Sequence, residues 1–192
     1  VGETDLREIV ADFGDATQTF HIGVGSIATP GLGAMLAEAH DRAGRIPLRE
    51  LAAPACAAAR IGTPIEAFQA KVLGIVCPIY RASPAARALY LHGEDHAPEP
   101  GKPIRNPELS DVIEVFAAEG TPFLMEGEPA AALIRLCEEG GHLTREDLRR
   151  YRPVWRTPLT VERGAASIAL NPPPALGGAL IALGLDLLGA GA

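Results

Sequence analysis

Gly140-Gly141-His142-Leu143-Thr144-Arg145-Glu146-Asp147-Leu148-Arg149-Arg150-Tyr151, GGHLTREDLRRY, carries the strongest local signal in the chain. Thr144 and Asp147 stand three apart and resemble a capping box, in which each side chain satisfies a backbone N–H of the other residue. Leu143 and Leu148 occupy the two positions of a hydrophobic staple. The stretch predicts a short helix that ends near Tyr151-Arg152-Pro153, since proline cannot continue it.

Upstream, one device recurs: a small polar residue followed by proline, then a helical pattern. Thr29-Pro30, Thr63-Pro64, Ser83-Pro84 and Asn106-Pro107 each offer a side-chain oxygen as N-cap, with proline where its missing N–H costs nothing. After Thr29, the residues Leu32, Met35, Leu36 and Ala39 form a helical apolar stripe that stops at Gly44. Thr63 and Glu66 read as a second capping box, opening a helix that runs to Pro78. After Asn106, the positions Leu109, Val112, Ile113 and Phe116 repeat the helical spacing as far as Gly120. Between Glu94 and Pro107, four prolines and Gly101 predict an extended surface connection.

Downstream the period changes. In TPLTVERGAASIAL (157–170), Leu159 and Val161 alternate with Thr160 and Glu162, Arg163-Gly164 supplies a turn, and Ser167 to Leu170 resumes, which predicts a β-hairpin. NPPPALGG (171–178) follows. Its prolines hold the chain extended and Gly177-Gly178 permit close backbone approach, ahead of a helix apolar on nearly every side through Leu180, Ile181, Leu183, Leu185, Leu187 and Leu188. The order is therefore a short strand region, a run of helices, a hairpin and a terminal apolar helix, with no internal repeat.

Composition sets the outer bounds. With 192 residues, 47% of them hydrophobic and 21% charged, the chain is expected to bury one core. A net charge of -7 with no basic stripe argues against a nucleic-acid surface, which must displace counterions from phosphates. No secretion signal is visible in this chain, leaving a cytoplasmic or a periplasmic location open. Three cysteines, Cys56, Cys77 and Cys137, form no C-x-x-C and read as small buried apolar residues. Residues 175–192 barely reach the length a bilayer requires and carry Asp186 and five glycines, so no membrane span is expected.

Local candidates for chemistry have plain structural readings beside them. Gly23-Val24-Gly25-Ser26-Ile27-Ala28 matches G-x-G-x-x-A after the strand-like Phe20-His21-Ile22, but a dinucleotide fold needs alternating strands and helices, and here helices follow helices. A strand ending in a glycine turn explains more of the residues. His92 and His96 are four apart, yet Gly93 and the prolines after them place them in a loop, and the order is not H-E-x-x-H. His21, His40 and His142 lack a sequence-local partner that would make them bases. The pairs Glu138-Glu139 and Glu146-Asp147 lie at helix ends and starts, where solvation and capping account for them. No G-x-S-x-G elbow is present, and no residue pattern calls for a metal or another cofactor.

Across most of its length the chain resembles the large subunit of the γ-glutamyltranspeptidase family. Ser26-Ile27-Ala28-Thr29-Pro30-Gly31 resembles the family's S-x-x-T-P-G, followed in order by Gly44 to Pro47, Leu51, Pro54-Ala55, Ala59 and Gly62. Gly101 to Ile104, Asn106 to Leu109, Phe123 to Gly127 and Arg156 to Leu159 continue the likeness. GG-x-L-T-x-E-D-L-x-x-Y is the most specific of these patterns, and NPPPALGG resembles P-P-P-S-S-G-G.

The resemblance implies an α/β (α+β) Ntn-hydrolase of αββα type, made as a precursor that cuts itself in two; this portion is mainly helical, with the hairpin near 157–170. The threonine freed at the new N-terminus would attack a γ-glutamyl carbonyl, with its own α-amino group as base. An acyl-enzyme would form and be resolved by water or an amino-acid acceptor. In the family that threonine lies after the helix that follows the P-P-P…G-G loop, beyond Ala192 here, so no catalytic residue is assigned in this chain. Residues 1–192 are then expected to be a single-domain large-subunit fragment, inactive alone. Its implied partners are the remainder of the precursor, the small subunit, and a small γ-glutamyl substrate.

The family's substrate-binding arginine lies in R-E-x-A-P. Leu6-Arg7-Glu8-Ile9-Val10 has the Arg-Glu without the Ala-Pro and lies nearer to Thr29-Pro30-Gly31 than the family spacing, so Arg7 is the candidate, weighed against a surface strand arginine. The loop near the site by resemblance is Pro174, Ala175, Leu176, Gly177 and Gly178, in which Ala175-Leu176 replaces two serines. Three readings stay open: a γ-glutamyltranspeptidase-like enzyme, another Ntn amidohydrolase or acylase on the same scaffold, and a noncatalytic structural or interaction remnant.

Overall fold

A strand pair opens the fold. In the computed structural model, which describes residues 4–93 and 95–189, β1 (Arg7–Asp12) runs antiparallel to β2 (Thr17–Ile22), with Arg7 opposite Ile22 and Asp12 opposite Thr17. A short 3-10 turn, Val24–Ser26, leads to α1 (Leu32–Ala43) and α2 (Leu48–Ile61). Next come β3 (Thr63–Pro64), α3 (Ala67–Ile75), α4 (Cys77–Arg81), α5 (Pro84–Tyr90) and β4 (Pro103–Ile104). A helical run follows: α6 (Pro107–Glu119), α7 (Thr121–Glu126), α8 (Glu128–Cys137) and α9 (Arg145–Arg150). The chain finishes with β5 (Leu159–Arg163), β6 (Ala166–Leu170) and α10 (Leu176–Leu187). It divides into two compact units, Val1–Arg152 and Pro153–Ala192.

The core of the first unit is built around GGHLTREDLRRY. Leu148 is fully buried, and it clusters with Leu143, Ala34, Met125, Ala130 and Cys137, with Ile27, Leu133, Ile134 and Tyr151 packed around them. Thr144 and Asp147 form the reciprocal cap: Thr144 N–H donates to Asp147 Oδ2 at 2.8 Å and Asp147 N–H to Thr144 Oγ1 at 3.2 Å. The two staple residues thus anchor α9 while the box satisfies its open amides. Cys56, Cys77 and Cys137 are all buried free thiols, as small apolar residues.

Of the four proline-marked starts, two hold. Ser83 Oγ accepts from Ala86 N–H at 3.4 Å and Asn106 Oδ1 from Leu109 N–H at 3.0 Å, each with proline in the first turn. Thr29 does not cap α1: the helix begins after Gly31, whose carbonyl accepts from Met35 N–H at 3.0 Å. A side chain on Gly31 would strike the phenol of Tyr151, so this position is fixed by packing. Thr63 does not cap α3 either. Thr63-Pro64 pairs with Pro103-Ile104, and buried Ile65 exchanges backbone bonds with Gly101 and Lys102. Glu66 takes over the cap with Gln69, whose Oε1 accepts Glu66 N–H at 2.8 Å. Tertiary pairing overrides the local signal, and it also gives the expected 94–107 connection a strand, although Glu94 itself lies outside the described residues.

The helix expected to reach Pro78 breaks at Val76, and Pro78 falls in the first turn of α4, where a missing N–H is tolerated. The apolar stripe of α1 faces outward: Leu32 is 67% and Leu36 47% exposed, while Ala34 is buried. Gly33 lies against Leu124 of α7, so α1 docks through its small residues.

In the second unit, Leu159 pairs with Leu170 and Arg163 with Ala166, closing the expected hairpin through Gly164 at φ 56°. α10 packs on both strands, yet Leu176, Leu180, Ile181, Leu183 and Leu187 remain exposed. Among the described residues no helix is long and apolar enough to cross a membrane.

Candidate functional site

The 171–178 loop turns the hairpin into α10. Pro173-Pro174 is cis, and Ala175 N–H donates to the Pro172 carbonyl at 3.1 Å. Ala175 is extended (φ −71°, ψ 107°) and stands at the N-cap of α10 with no side chain to bond the first-turn amides. Leu176, the other residue in place of a serine, is exposed. The two glycines differ: Gly177 faces open space, whereas Gly178 is buried against the backbone of Asn171.

An uncapped N-terminus at a residue already in the extended conformation is a direct opportunity for a hydroxyl cap. Ala175→Ser is expected to stabilise the chain by about 1 kcal/mol, the usual worth of such a cap. Urea unfolding of the two proteins measures it, and an unchanged midpoint contradicts the cap geometry.

Arg7 opens β1 in the first unit, and the 171–178 loop belongs to the second. Its Nε lies 3.2 Å from Asp5 Oδ1, with the two side chains 58% and 35% exposed. At that exposure an ion pair contributes little to stability, about 0–1 kcal/mol. Asp5 does more. Its Oδ2 accepts Val24 N–H at 3.1 Å, its carbonyl accepts Gly25 N–H at 2.8 Å, and its own N–H donates to the Gly140 carbonyl at 3.1 Å. Asp5 therefore ties the glycine turn at 23–25 to Gly140, and it uses two of the turn's amides that a phosphate would need. Sequence reasoning missed this staple, because Asp5 and Gly140 are far apart in the chain.

The histidines are placed individually. His21 Nε2 sits 3.3 Å from Glu8 Oε1, its strand-pair partner, and His40 Nε2 is 2.8 Å from the Ile46 carbonyl. His142 Nε2 is 3.4 Å from Thr4 Oγ1. His92 and His96 face each other in a two-bond β-bridge, so no helix face presents them together. Among the described residues no cluster of three metal-ligating side chains occurs.

Asp147 carries the one resolved carboxylate shift among the described residues. The Thr144 hydroxyl and then the Thr144 N–H hold it below the ordinary carboxylate range, against an opposing effect of desolvation that outweighs the further help of the Arg150 charge. A folded-state pKa below the unfolded one stabilises the fold above the unfolded value near about pH 4, and that contribution is lost as pH falls through the folded value. Asp147→Asn is therefore expected to unfold at lower urea than the parent at pH 7, with the gap narrowing as pH falls below the unfolded value of about 4 and closing only below the folded value. A gap that persists unchanged into acid would assign the effect to shape rather than charge.

With this geometry in place, likeness to known proteins gives the class. The crystal structure of Helicobacter pylori gamma-glutamyltranspeptidase superposes with a TM-score of 0.77 at 22% identity, covering 88% of this chain and 51% of that one. The Bacillus anthracis transpeptidase enzyme CapD gives 0.68 at 20% identity over 94% of this chain and 64% of that one. The fold is that of these two proteins, mainly helical here with small antiparallel strand pairs. Residues 6–190 match the gamma-glutamyltranspeptidase family, and the chain belongs to it. It is 32% identical over 176 residues to the human glutathione hydrolase 5 proenzyme, covering 89% of this chain and 30% of that relative. The chain thus spans about 30% of the length of that relative.

Proposed function

We propose that this chain is part of the large subunit of an enzyme that hydrolyses or transfers γ-glutamyl groups of glutathione-like substrates. The observation that carries the reading is the family match over residues 6–190. The likeness to a proenzyme of which the chain spans 30% supports a larger precursor. In this reading the N-terminal threonine belongs to the part of the precursor this chain does not span. That residue supplies both nucleophile and, through its α-amino group, base. The chain alone is inactive, and the small subunit is its partner.

Within this chain, Arg7 and the 174–178 loop are the proposed substrate-side residues. An exposed guanidinium paired, among the described residues, to a partly exposed carboxylate can exchange that partner for a substrate carboxylate. The uncapped amides at the start of α10 offer donors to an anionic group. A second reading, another Ntn amidohydrolase, draws support from Ala175 and Leu176, which lack the two hydroxyls of the family loop. The test is expression of the intact precursor followed by mass measurement and N-terminal sequencing. Two chains, the shorter beginning with threonine, are expected; a single uncut chain would contradict the reading.

A further inference from the structure

An open concavity is lined wholly by residues of the first unit. It encloses about 510 Å³, within the usual range of about 300–1,000 Å³ for small-molecule sites. Val10 and Asp12 of β1, Ile75 of α3, Pro78 and Arg81 of α4, and His96 line it. An apolar surface is thus bordered by a carboxylate, a guanidinium and an imidazole.

Opposite charges on one cavity ordinarily close onto each other. Among the described residues Asp12 and Arg81 make no such ion pair, because each is tied to backbone. Asp12 Oδ1 accepts Gly14 N–H at 2.8 Å. Arg81 donates from Nε and Nη2 to the Asp95 carbonyl at 3.0 and 2.8 Å, and the Cys77 thiol donates to the same carbonyl at 3.2 Å. Asp95 holds that carbonyl in place from a left-handed backbone, φ 64°, which a non-glycine residue adopts at a cost. Arg87 braces the arrangement, with Nε 3.4 Å from Asp95 Oδ1 and Nη2 donating to the Arg81 carbonyl at 3.0 Å. The second carboxylate oxygen of Asp12 and Nη1 of Arg81 make no hydrogen bond among the described residues.

We propose that this cavity binds a small zwitterion, an α-amino acid with an apolar side chain. Its ammonium pairs with Asp12, its carboxylate with Nη1 of Arg81 beside His96, and its side chain lies on Val10, Ile75 and Pro78. The site needs no threonine nucleophile and stands independently of the transfer reaction proposed above.

The test uses the 192-residue chain and three probes: L-leucine, 4-methylpentanoate, which lacks the ammonium, and 3-methylbutylamine, which lacks the carboxylate. Titrations followed by the His96 imidazole resonances are expected to show saturable leucine binding, with both analogues weaker by about tenfold or more, the effect of losing one charge-assisted hydrogen bond. Asp12→Asn retains an oxygen for Gly14 N–H and is expected to weaken leucine by a similar factor while leaving 4-methylpentanoate unchanged. Either analogue binding as well as leucine, unchanged leucine affinity in Asp12→Asn, or no saturable leucine binding overturns the proposal. The probe comparison on the unaltered chain keeps the test decisive if the variant does not fold.

Discussion

Leu148→Ala is expected to lower the free energy of unfolding by about 2–5 kcal/mol, the range for emptying a fully buried leucine site. Leu148 has no exposed surface, and its neighbours come from different parts of the chain: Ala34 on α1, Met125 on α7, Ala130 and Cys137 on α8, and Leu143 at the entry to α9. The three deleted carbons remove apolar contacts and leave a void that these neighbours fill only in part, because backbone caps hold α9 at its start. Leu136→Ala, at a residue 55% exposed, is the control and is expected to shift stability by about 0.5 kcal/mol or less. Urea unfolding of both variants with an unchanged slope measures the difference. A loss below about 1 kcal/mol at Leu148 would mean that GGHLTREDLRRY is not the centre of the core.

Gly178→Ala is expected to destabilise the second unit by about 1–3 kcal/mol, the cost of overpacking. A Cβ at Gly178 would overlap the Asn171 carbonyl oxygen and lie 2.9 Å from its carbon and 3.0 Å from its nitrogen. These are backbone atoms at the exit of β6, so no side-chain rotation relieves the clash. Gly177→Ala meets nothing within 4 Å and adds helix propensity in the first turn of α10, so it is expected to gain up to about 0.5 kcal/mol. Opposite signs at adjacent glycines, read from thermal unfolding of the two variants, would establish that Gly178 alone carries the close approach. Equal effects would contradict it.

What the sequence disclosed well was local and self-consistent chemistry. The Thr144–Asp147 box, the Asn106 and Ser83 caps and the 157–170 hairpin appear as expected, because each depends on residues within a few positions of one another. Thr63 carried equally good capping chemistry and became a strand, since Ile104 and Pro103, forty positions away, supply its pairing. No helix is predicted over residues 48–61 from the sequence, and α2 carries Pro54 in its interior, where a proline ordinarily interrupts a helix; it nevertheless runs through Leu48–Ile61 and packs on α6. Arg60 of α2 adds to that contact, reaching Asp111 at 2.9 Å and Glu114 at 2.8 Å. The stripe on α1 was legible as a period but not as a buried face, because burial follows the small residues that let α7 approach.

The candidate site was legible to a smaller degree. The family follows from motifs spread along the chain, and the match over residues 6–190 agrees with them. The surroundings of Arg7 were not legible, since Asp5 engages it and the 23–25 turn together. A glycine turn can be recognised from its residues, but which acceptor fills it depends on chain segments brought together only by folding.

The proposed role of this chain in a γ-glutamyl transfer enzyme meets its sharpest test in the activity of the intact precursor on a chromogenic γ-glutamyl amide. Release of the amine is expected, faster when an amino-acid acceptor is added, because the acceptor gives the acyl-enzyme a second route of resolution beside water. A cut precursor with a free N-terminal threonine that releases no amine above the uncatalysed rate would contradict it.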